Sequence, residues 1–155
     1  MSFVPLEGTE LADFLEQSRS GFVESMVAAG ADRADVESRA AAVNATVLRD
    51  GRLNPDHHVG RILAGSDVVG HLWISRDDAD AWYVWDVAVD EAHRGLGYGR
   101  AAMGLTSDMA RADGAAVIGL SVEASNDVAR RLYRSMGYTE TGPQEGPLVR
   151  MHLEL

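Results

Sequence analysis

The chain contains neither cysteine nor lysine. Without cysteine, neither a disulfide framework nor a thiolate metal site can form. All 14 basic residues are arginine, which excludes mechanisms that need a Schiff-base lysine or the lysine of a P-loop. The sequence also lacks a charged leader followed by an apolar segment, and any run of about 18 apolar residues. We therefore expect a cytoplasmic protein that does not associate with membranes.

Acidic residues are concentrated in the first part of the chain. Residues 1–93 carry 7 arginines and 17 acids, a net charge of −10, whereas residues 94–155 carry 7 of each. This distribution predicts that the first part repels nucleic acid and attracts cationic partners. An acidic surface kept for solubility explains the same charge.

The pattern of apolar residues predicts one domain with a strand, two helices, three strands, a helix, a strand, a helix and one or two final strands. Thr9 is expected to cap the first helix, Gly30 to end it, and Asp32 to cap the second. Residues 49–56 form a turn-rich break, and residues 81–89 are apolar on both faces, as in a central strand. This order predicts an α/β fold with a mixed sheet of six to seven strands flanked by helices.

The segment "HRGLGYGR", His93 to Arg100, places three glycines at alternate positions between a predicted strand and a predicted helix. Such glycines let backbone N–H groups approach an anion at a helix N-terminus. From Gly97 the segment also matches the dinucleotide fingerprint G-x-G-x-x-A, but the stretch "DEAHR" separates it from the strand. The segment therefore predicts an anion cradle with Arg94 and Arg100 at its edges. A flexible turn with solvated arginines is the alternative.

A second motif, within "NDVARRLYRSMGY", follows the next predicted strand. With it, the chain resembles the GNAT superfamily of acyl-CoA-dependent N-acyltransferases. The cofactor motif of that family, Arg/Gln-x-x-Gly-x-Gly/Ala, is met by Arg94, Gly97 and Gly99. Its second signature, Asn-x-x-Ala-x-x-Leu-Tyr-x-x-x-Gly-Tyr/Phe, is met by Asn126, Ala129, Leu132, Tyr133, Gly137 and Tyr138.

The resemblance implies a single GNAT domain over residues 1–155, with an acyl-CoA-binding core over residues 81–139. Residues 1–56 would form the variable segment that borders the acceptor site. The strand before the glycine loop would separate from its parallel neighbour at a bulge, and the pantetheine of acetyl-CoA would enter the gap. The residues implied in binding acetyl-CoA are Val87, Ala88, Val89, Arg94, Gly95, Leu96, Gly97, Tyr98, Gly99, Arg100, Asn126 and Arg130.

These residues would bind different parts of acetyl-CoA. The backbone of residues 87–89 would pair with the pantetheine amides, and residues 94–100 would hold the pyrophosphate. Asn126 would lie beside the thioester, while Arg130 or its arginine neighbours would reach the adenosine phosphates. The resemblance implies no metal.

Two side chains are candidates for the chemistry. Asp86 lies within the apolar strand, where family members often place an acidic general base, and burial there is expected to raise its pKa. Tyr133 is the candidate general acid for the departing thiolate. Asp86 paired with an arginine, and Tyr133 packed against the sheet, are the structural alternatives.

Other conspicuous side chains are assigned to packing. Three histidines lie on the predicted hairpin with no spacing typical of a metal site, and we expect them at the surface or in the sheet: His57, His58 and His71. Three tryptophans are expected in the sheet core: Trp73, Trp82 and Trp85.

The resulting hypothesis is an acetyl-CoA-dependent N-acetyltransferase that acts on an amine of a small molecule or peptide. The acidic first part favours a cationic acceptor, and the family's frequent dimers allow a homodimer. A non-catalytic acyl-CoA-binding module and an NAD-binding domain are the alternatives. The acceptor itself is not fixed by the sequence.

Overall fold

Nine strands and four α-helices make up the fold in a computed structural model that describes residues 1–155. The strands are β1 (Ser2–Pro5), β2 (Leu48–Arg49), β3 (Arg52–Leu53), β4 (His57–Ala64), β5 (Asp67–Asp78), β6 (Ala81–Val89), β7 (Val117–Glu123), β8 (Thr139–Glu140) and β9 (Leu148–Glu154). The helices are α1 (Gly8–Ala28), α2 (Arg33–Val47), α3 (Tyr98–Ala112) and α4 (Asp127–Ser135), with a 3-10 turn at Glu91–His93. None of the helices combines the length and apolar character needed to cross a bilayer.

Seven strands form one mixed sheet in the order β1-β4-β5-β6-β7-β9-β8. Only β6 and β7 pair in parallel, because α3 carries the chain back across the sheet between them. The mixed α/β sheet predicted from the sequence is therefore confirmed. The turn-rich break differs from the prediction in one detail, because the two-residue strands β2 and β3 pair there as a short antiparallel ribbon that turns at Asp50 and Gly51. Both turn residues have a positive φ, which closes this ribbon tightly.

Helices cover both faces of the sheet. Because side chains alternate along a strand, Leu72 and Ile74 of β5 face the cluster under α3 and α4, whereas Trp73 faces the cluster under α1 and α2. Val23 and Val36 belong to a third cluster, which joins α1 to α2. The site described below lies between the α1–α2 layer and the sheet.

The helix ends decide where the site residues fall. The predicted cap of α2 is confirmed, since the Asp32 side chain accepts a hydrogen bond from the Asp35 N–H at 3.1 Å. The predicted stop of α1 is also confirmed by Gly30, whose φ is +99°. The predicted Thr9 cap is wrong, because α1 begins two residues earlier than that cap implies, at Gly8, and Glu7 is its N-cap without a side-chain bond. The chain stays extended only through Glu7, whose neighbour Leu6 is held by the Val59 carbonyl at 2.9 Å.

Candidate active site

The site opens where two parallel strands separate. β6 and β7 pair only over residues 81–84 and 117–120. On its other edge β6 is bulged against β5, because Asp86 faces Trp73 while Val84 faces Ile74. The extra residue, Trp85, bends the strand at this point. The backbone of β6 beyond the bulge is therefore unpaired on the β7 side, as the resemblance implies.

A cavity of about 410 Å³ occupies the space between these strands and the overlying helices. Its volume is within the range of small-molecule sites. Four of the candidate residues line it: Asp86, Val87, Asn126 and Tyr133. The structure therefore brings the two candidate catalytic side chains to one cavity. The rest of the lining comes from α1, α2, β7, the residues around the start of β9, Trp73 of β5 and the neighbours of Asp86 on β6.

Asp86 is fixed by two side chains from other elements. Ser18 of α1 donates a hydrogen bond from Oγ to Asp86 Oδ2 at 2.7 Å. His71 of β5 places Nε2 at 3.2 Å from Asp86 Oδ1, although the angle is poor for a hydrogen bond. Burial raises the pKa of Asp86, but the contacts with the imidazole and the hydroxyl outweigh it and hold this pKa below the ordinary value.

The expected rise in the pKa of Asp86 is therefore wrong. The strand sequence shows that Asp86 is surrounded by apolar neighbours, which predicts desolvation alone. Its two partners are Ser18, which is 68 residues earlier in the chain, and His71 on the neighbouring strand. Both partners stabilise the charged form, so Asp86 is ionised at neutral pH.

His71 contacts the candidate site, although the sequence prediction assigned it to packing. Its ring packs edge-on against Phe14 of α1, with ring centroids 4.9 Å apart, and its Nε2 faces Asp86. It does not line the cavity itself. A histidine in a hairpin strand is usually a packing residue, so the sequence contains little evidence that His71 lies at the site. Only the pairing of β5 with β6 places it behind the carboxylate.

Tyr133 lies at the opposite side of the cavity from the α1–α2 layer, on α4. It is only 9% exposed, and its hydroxyl makes no hydrogen bond within the protein. Burial raises the pKa of Tyr133, and the negative charge of Asp86 raises it further. The phenol is therefore protonated at neutral pH and free to bond a bound molecule.

The glycine segment forms the start of α3. Gly97 is the N-cap with a φ of +84°, and Gly95 has a φ of +77°, conformations that other residues rarely adopt. No side chain caps the helix, so the N–H groups of its first turn remain available to an anion. Arg94 Nε donates to the Val89 carbonyl at 3.1 Å, and Arg100 Nη2 donates to Ser135 Oγ at 2.6 Å. These two bonds tie the loop to β6 and α4.

The remaining candidates are placed as follows. Asn126 caps α4, because its side chain accepts a hydrogen bond from the Ala129 N–H at 3.1 Å. Arg130 is committed to the protein, since it donates to the Ala124 carbonyl at 2.7 Å and pairs with Glu140 at 2.8 Å. Ala88, Val89 and the glycine loop lie outside the cavity lining.

The aromatic side chains divide between core and cavity. Trp73 and Trp82 are buried, as expected, at 5% and 4% exposure. The expectation is wrong for Trp85, which is 36% exposed, stacks on Trp73 and lines the cavity beside Tyr83. The bulge at Trp85 explains this difference.

The two other hairpin histidines are in packing roles, as expected. Nδ1 of His57 accepts a hydrogen bond from Trp73 Nε1 at 3.0 Å. His58 stacks on Trp82, with ring centroids 5.3 Å apart. No group of three or more histidine, aspartate or glutamate side chains is arranged to hold a metal ion.

Comparison with known proteins decides the family. The model of the acetyltransferase (GNAT) family matches residues 24–138, which include the bulge, the glycine loop and α4. The chain belongs to the GNAT acetyltransferase family. The resemblance noted from the two motifs is thereby confirmed, and so is the assignment of the chain as an acetyltransferase enzyme.

The GNAT relatives cover the chain to different extents. It is 30% identical over 142 residues to the uncharacterized N-acetyltransferase YycN of Bacillus subtilis. The aligned region covers 88% of this chain and 91% of YycN. It is 34% identical over 92 residues to the N-alpha-acetyltransferase RimI of Mycobacterium tuberculosis, over 57% of this chain and 56% of RimI.

Solved structures of other GNAT proteins share the fold. The crystal structure of YycN superposes with a TM-score of 0.79 at 28% identity, over 93% of this chain and 95% of that protein. A Bacillus subtilis acetyltransferase in complex with CoA has a TM-score of 0.59 at 18% identity, over 64% and 78% of the two chains.

Proposed function

We propose that the protein is an N-acetyltransferase that moves the acetyl group of acetyl-CoA directly to an amine of a small molecule or peptide. The observation that carries this proposal is the meeting of Asp86 and Tyr133 at one cavity, where β6 and β7 separate. The CoA complex of a protein with the same fold supports acetyl-CoA as the donor.

The residues around the opening fit acetyl-CoA. The backbone of residues 87–89 does not pair with β7, so its polar groups on that edge, apart from the Val89 carbonyl that Arg94 bonds, are available to the pantetheine amides. The uncapped N-terminus of α3 supplies N–H groups and a positive dipole end to the pyrophosphate, over Gly95 to Arg100. Asn126 lines the cavity where the thioester would lie. Arg130 would act mainly by holding α4 in place, because both ends of its guanidinium are already bonded.

Asp86 is proposed as the general base. Its lowered pKa leaves it ionised, so the carboxylate attracts a protonated amine into the cavity. Before attack, the bound ammonium must release one proton to solvent to expose the nitrogen lone pair, because a carboxylate is too weak a base to take the proton of an alkylammonium, whose pKa is about 10. The Asp86 carboxylate is suited to accept, directly or through water, the second proton, which the attacking nitrogen loses as the new C–N bond forms. At that stage the nitrogen is far more acidic than in the free ammonium. Ser18 and His71 hold the carboxylate in position for this transfer.

Tyr133 is proposed as the general acid. Transfer of the acetyl group breaks the C–S bond, and the leaving thiolate needs a proton. A phenol with a pKa of about 10 and a thiol with a pKa of about 8.5 are close enough for easy proton transfer. The raised pKa of Tyr133 keeps its proton in place until the thiolate forms. Free N–H groups of β6 would polarise the thioester carbonyl.

The experiment that tests the proposal is a thiol-release assay with acetyl-CoA and a panel of amines, with the acetylated product identified by mass. We expect release of CoA that depends on the amine, and a product heavier by one acetyl group. Tight binding of CoA without turnover on any amine would instead indicate a non-catalytic acyl-CoA-binding module. A thermal shift with NAD and none with CoA would contradict the proposal entirely.

A further inference from the structure

The cavity carries charges of both signs. Three acidic side chains line it: Asp86, Glu123 and Glu145. Three arginines line it as well: Arg19, Arg39 and Arg150. The strongly negative charge of the first part of the chain therefore does not extend into the cavity. An acceptor that was only cationic would leave the arginines without a function in binding.

All but one of these charged groups already have a protein partner. Arg19 pairs with Glu16 at 2.5 Å, and Arg150 pairs with Glu145 at 3.3 Å. The carboxylates of Glu123 and Asp86 each accept a hydrogen bond from a serine of α1. Arg39 of α2, an exposed side chain, is the exception, since its guanidinium makes neither an ion pair nor a hydrogen bond within the protein and is bonded to water in the free enzyme.

A second unpartnered donor of α2 lines the same cavity, about one turn and a half further along the helix. Asn44 also lines the cavity, and its side-chain amide makes no hydrogen bond within the protein. The residues between the two that line the cavity, Ala40 and Val43, are apolar and offer no competing partner. Two hydrogen-bond donors of α2 in the lining of the cavity are thus left free.

Arg39 also stands at a junction. A second cavity of about 530 Å³ lies between the α1–α2 turn and residues 144–148, and Arg39 lines both cavities. A molecule held at Asp86 in the first cavity therefore extends toward Arg39 if it is long enough. The positive side chain can interact with the end of the acceptor that is remote from the reacting nitrogen.

A carboxylate is the group that matches these donors. A guanidinium offers five N–H donors in a planar fork, and an amide adds an NH₂ group, whereas a carboxylate has two oxygens and accepts only. A doubly charged phosphate would be repelled more strongly by Glu123 and Glu145, which line the same cavity. We infer that Arg39 and Asn44 bind a carboxylate of the acceptor, so that the acceptor is an amine that also carries a carboxylate. This inference rests on the proposed function.

The test uses linear ω-amino carboxylates of increasing length, each matched to the alkylamine that lacks the carboxylate. We expect the amino carboxylate of best length to have a kcat/KM about 2- to 5-fold above its matched amine, the range of an ion pair formed at an exposed side chain. Arg39→Ala should remove this preference while leaving the matched amine unaffected. Arg39→Glu should reverse it in favour of diamines, and Asn44→Ala should reduce it.

Arg52→Ala is the matched control, because Arg52 is exposed, has no ion pair and lies outside both cavities. Calorimetric binding of the same compounds to the CoA-loaded protein gives a second measurement that does not need turnover. Equal affinity for the matched pairs, or equal losses in the Arg39 and Arg52 variants, would overturn the inference. Failure to acetylate any amine would overturn the proposed function, and the binding data would still decide the role of Arg39.

Discussion

The proposed donor side of the site lies within one stretch of chain, residues 81–139, whereas the proposed acceptor side is assembled from α1, α2, β5 and residues around the start of β9. Side-chain hydrogen bonds between residues of the donor side span at most 38 residues, as between Tyr83 and Ser121, and Asn126 caps its helix through a bond to a residue only three positions later. On the acceptor side Ser18 reaches Asp86 across 68 residues, and Ser25 reaches Glu123 across 98. The helices over the cavity can therefore change without altering the cofactor loop, so one chemistry can serve different acceptors.

Asp86 lies where the two sides meet, and its replacement has the largest expected effect. Asp86→Asn removes the charge and the proton acceptor while keeping the shape of the side chain. We expect kcat/KM to fall by about 100-fold or more, as is typical for loss of a general base. The affinity for CoA, measured by calorimetry, should stay unchanged, because the donor side is intact. Full activity in this variant would remove Asp86 from the mechanism.

Variants of two adjacent tyrosines, Tyr133 and Tyr138, distinguish a catalytic role from a packing role on the donor side. Tyr133→Phe should lower kcat by about 100-fold, because the leaving thiolate loses its proton donor. Tyr138 lies beside it, with ring centroids 5.7 Å apart, and its buried hydroxyl makes no hydrogen bond. Tyr138→Phe should therefore leave kcat unchanged and alter the free energy of unfolding by no more than about 1 kcal/mol. Equal losses of activity in the two variants would show that packing, and not proton transfer, is being measured.

The glycine loop is tested by its affinity for CoA. Gly97→Val places a branched side chain at a φ of +84°, a conformation that costs about 1–2 kcal/mol for residues other than glycine. The loop should shift to relieve this strain, and we expect the Kd for CoA to rise about tenfold. Gly104→Ala is the control, because this helical glycine has open space for a Cβ and should gain about 0.5–1 kcal/mol of stability. An unchanged Kd in Gly97→Val would mean that the loop does not bind the pyrophosphate.

The smallest effect is expected from His71, which acts on the acceptor side through Asp86. The groups that face Asp86 are this imidazole, the neutral Ser18 hydroxyl and the phenol of Tyr133. The imidazole contact lowers the pKa of Asp86, so His71→Asn should raise that pKa. The acid limb of the kcat/KM profile should then move to higher pH, with little change on the plateau. A uniform drop at every pH would indicate a purely structural role for His71.

The lowered pKa of Asp86 also makes the free energy of unfolding depend on pH. The pKa of Asp86 is depressed in the folded chain, so its contribution to stability is present above the ordinary carboxyl value and is lost as the pH falls through the folded value. In the Asp86→Asn variant, the free energy of unfolding should therefore decrease less steeply as the pH falls.

The sequence by itself determined the mixed sheet, the helix over the glycine loop and the family, because these depend on local patterns. A continuous apolar run indicates β6, glycine permits the positive φ at Gly95 and Gly97, and the Asn126 cap is encoded within four residues. The start of α1 was misplaced at Thr9, since the extended exit from β1 is set by a bond to β4.

Tertiary structure alone decided the electrostatics of the site. The pKa of Asp86 depends on Ser18 and His71, which reach it from a helix and from a neighbouring strand. The exposure of Trp85 depends on a bulge that only strand pairing reveals. The proposed role of Arg39 depends on the packing of α2 over the sheet, which places its side chain, with that of Glu145, in the lining of two cavities. Charge and hydrogen bonding act through space, so the neighbours that fix them become known only when distant segments pack together.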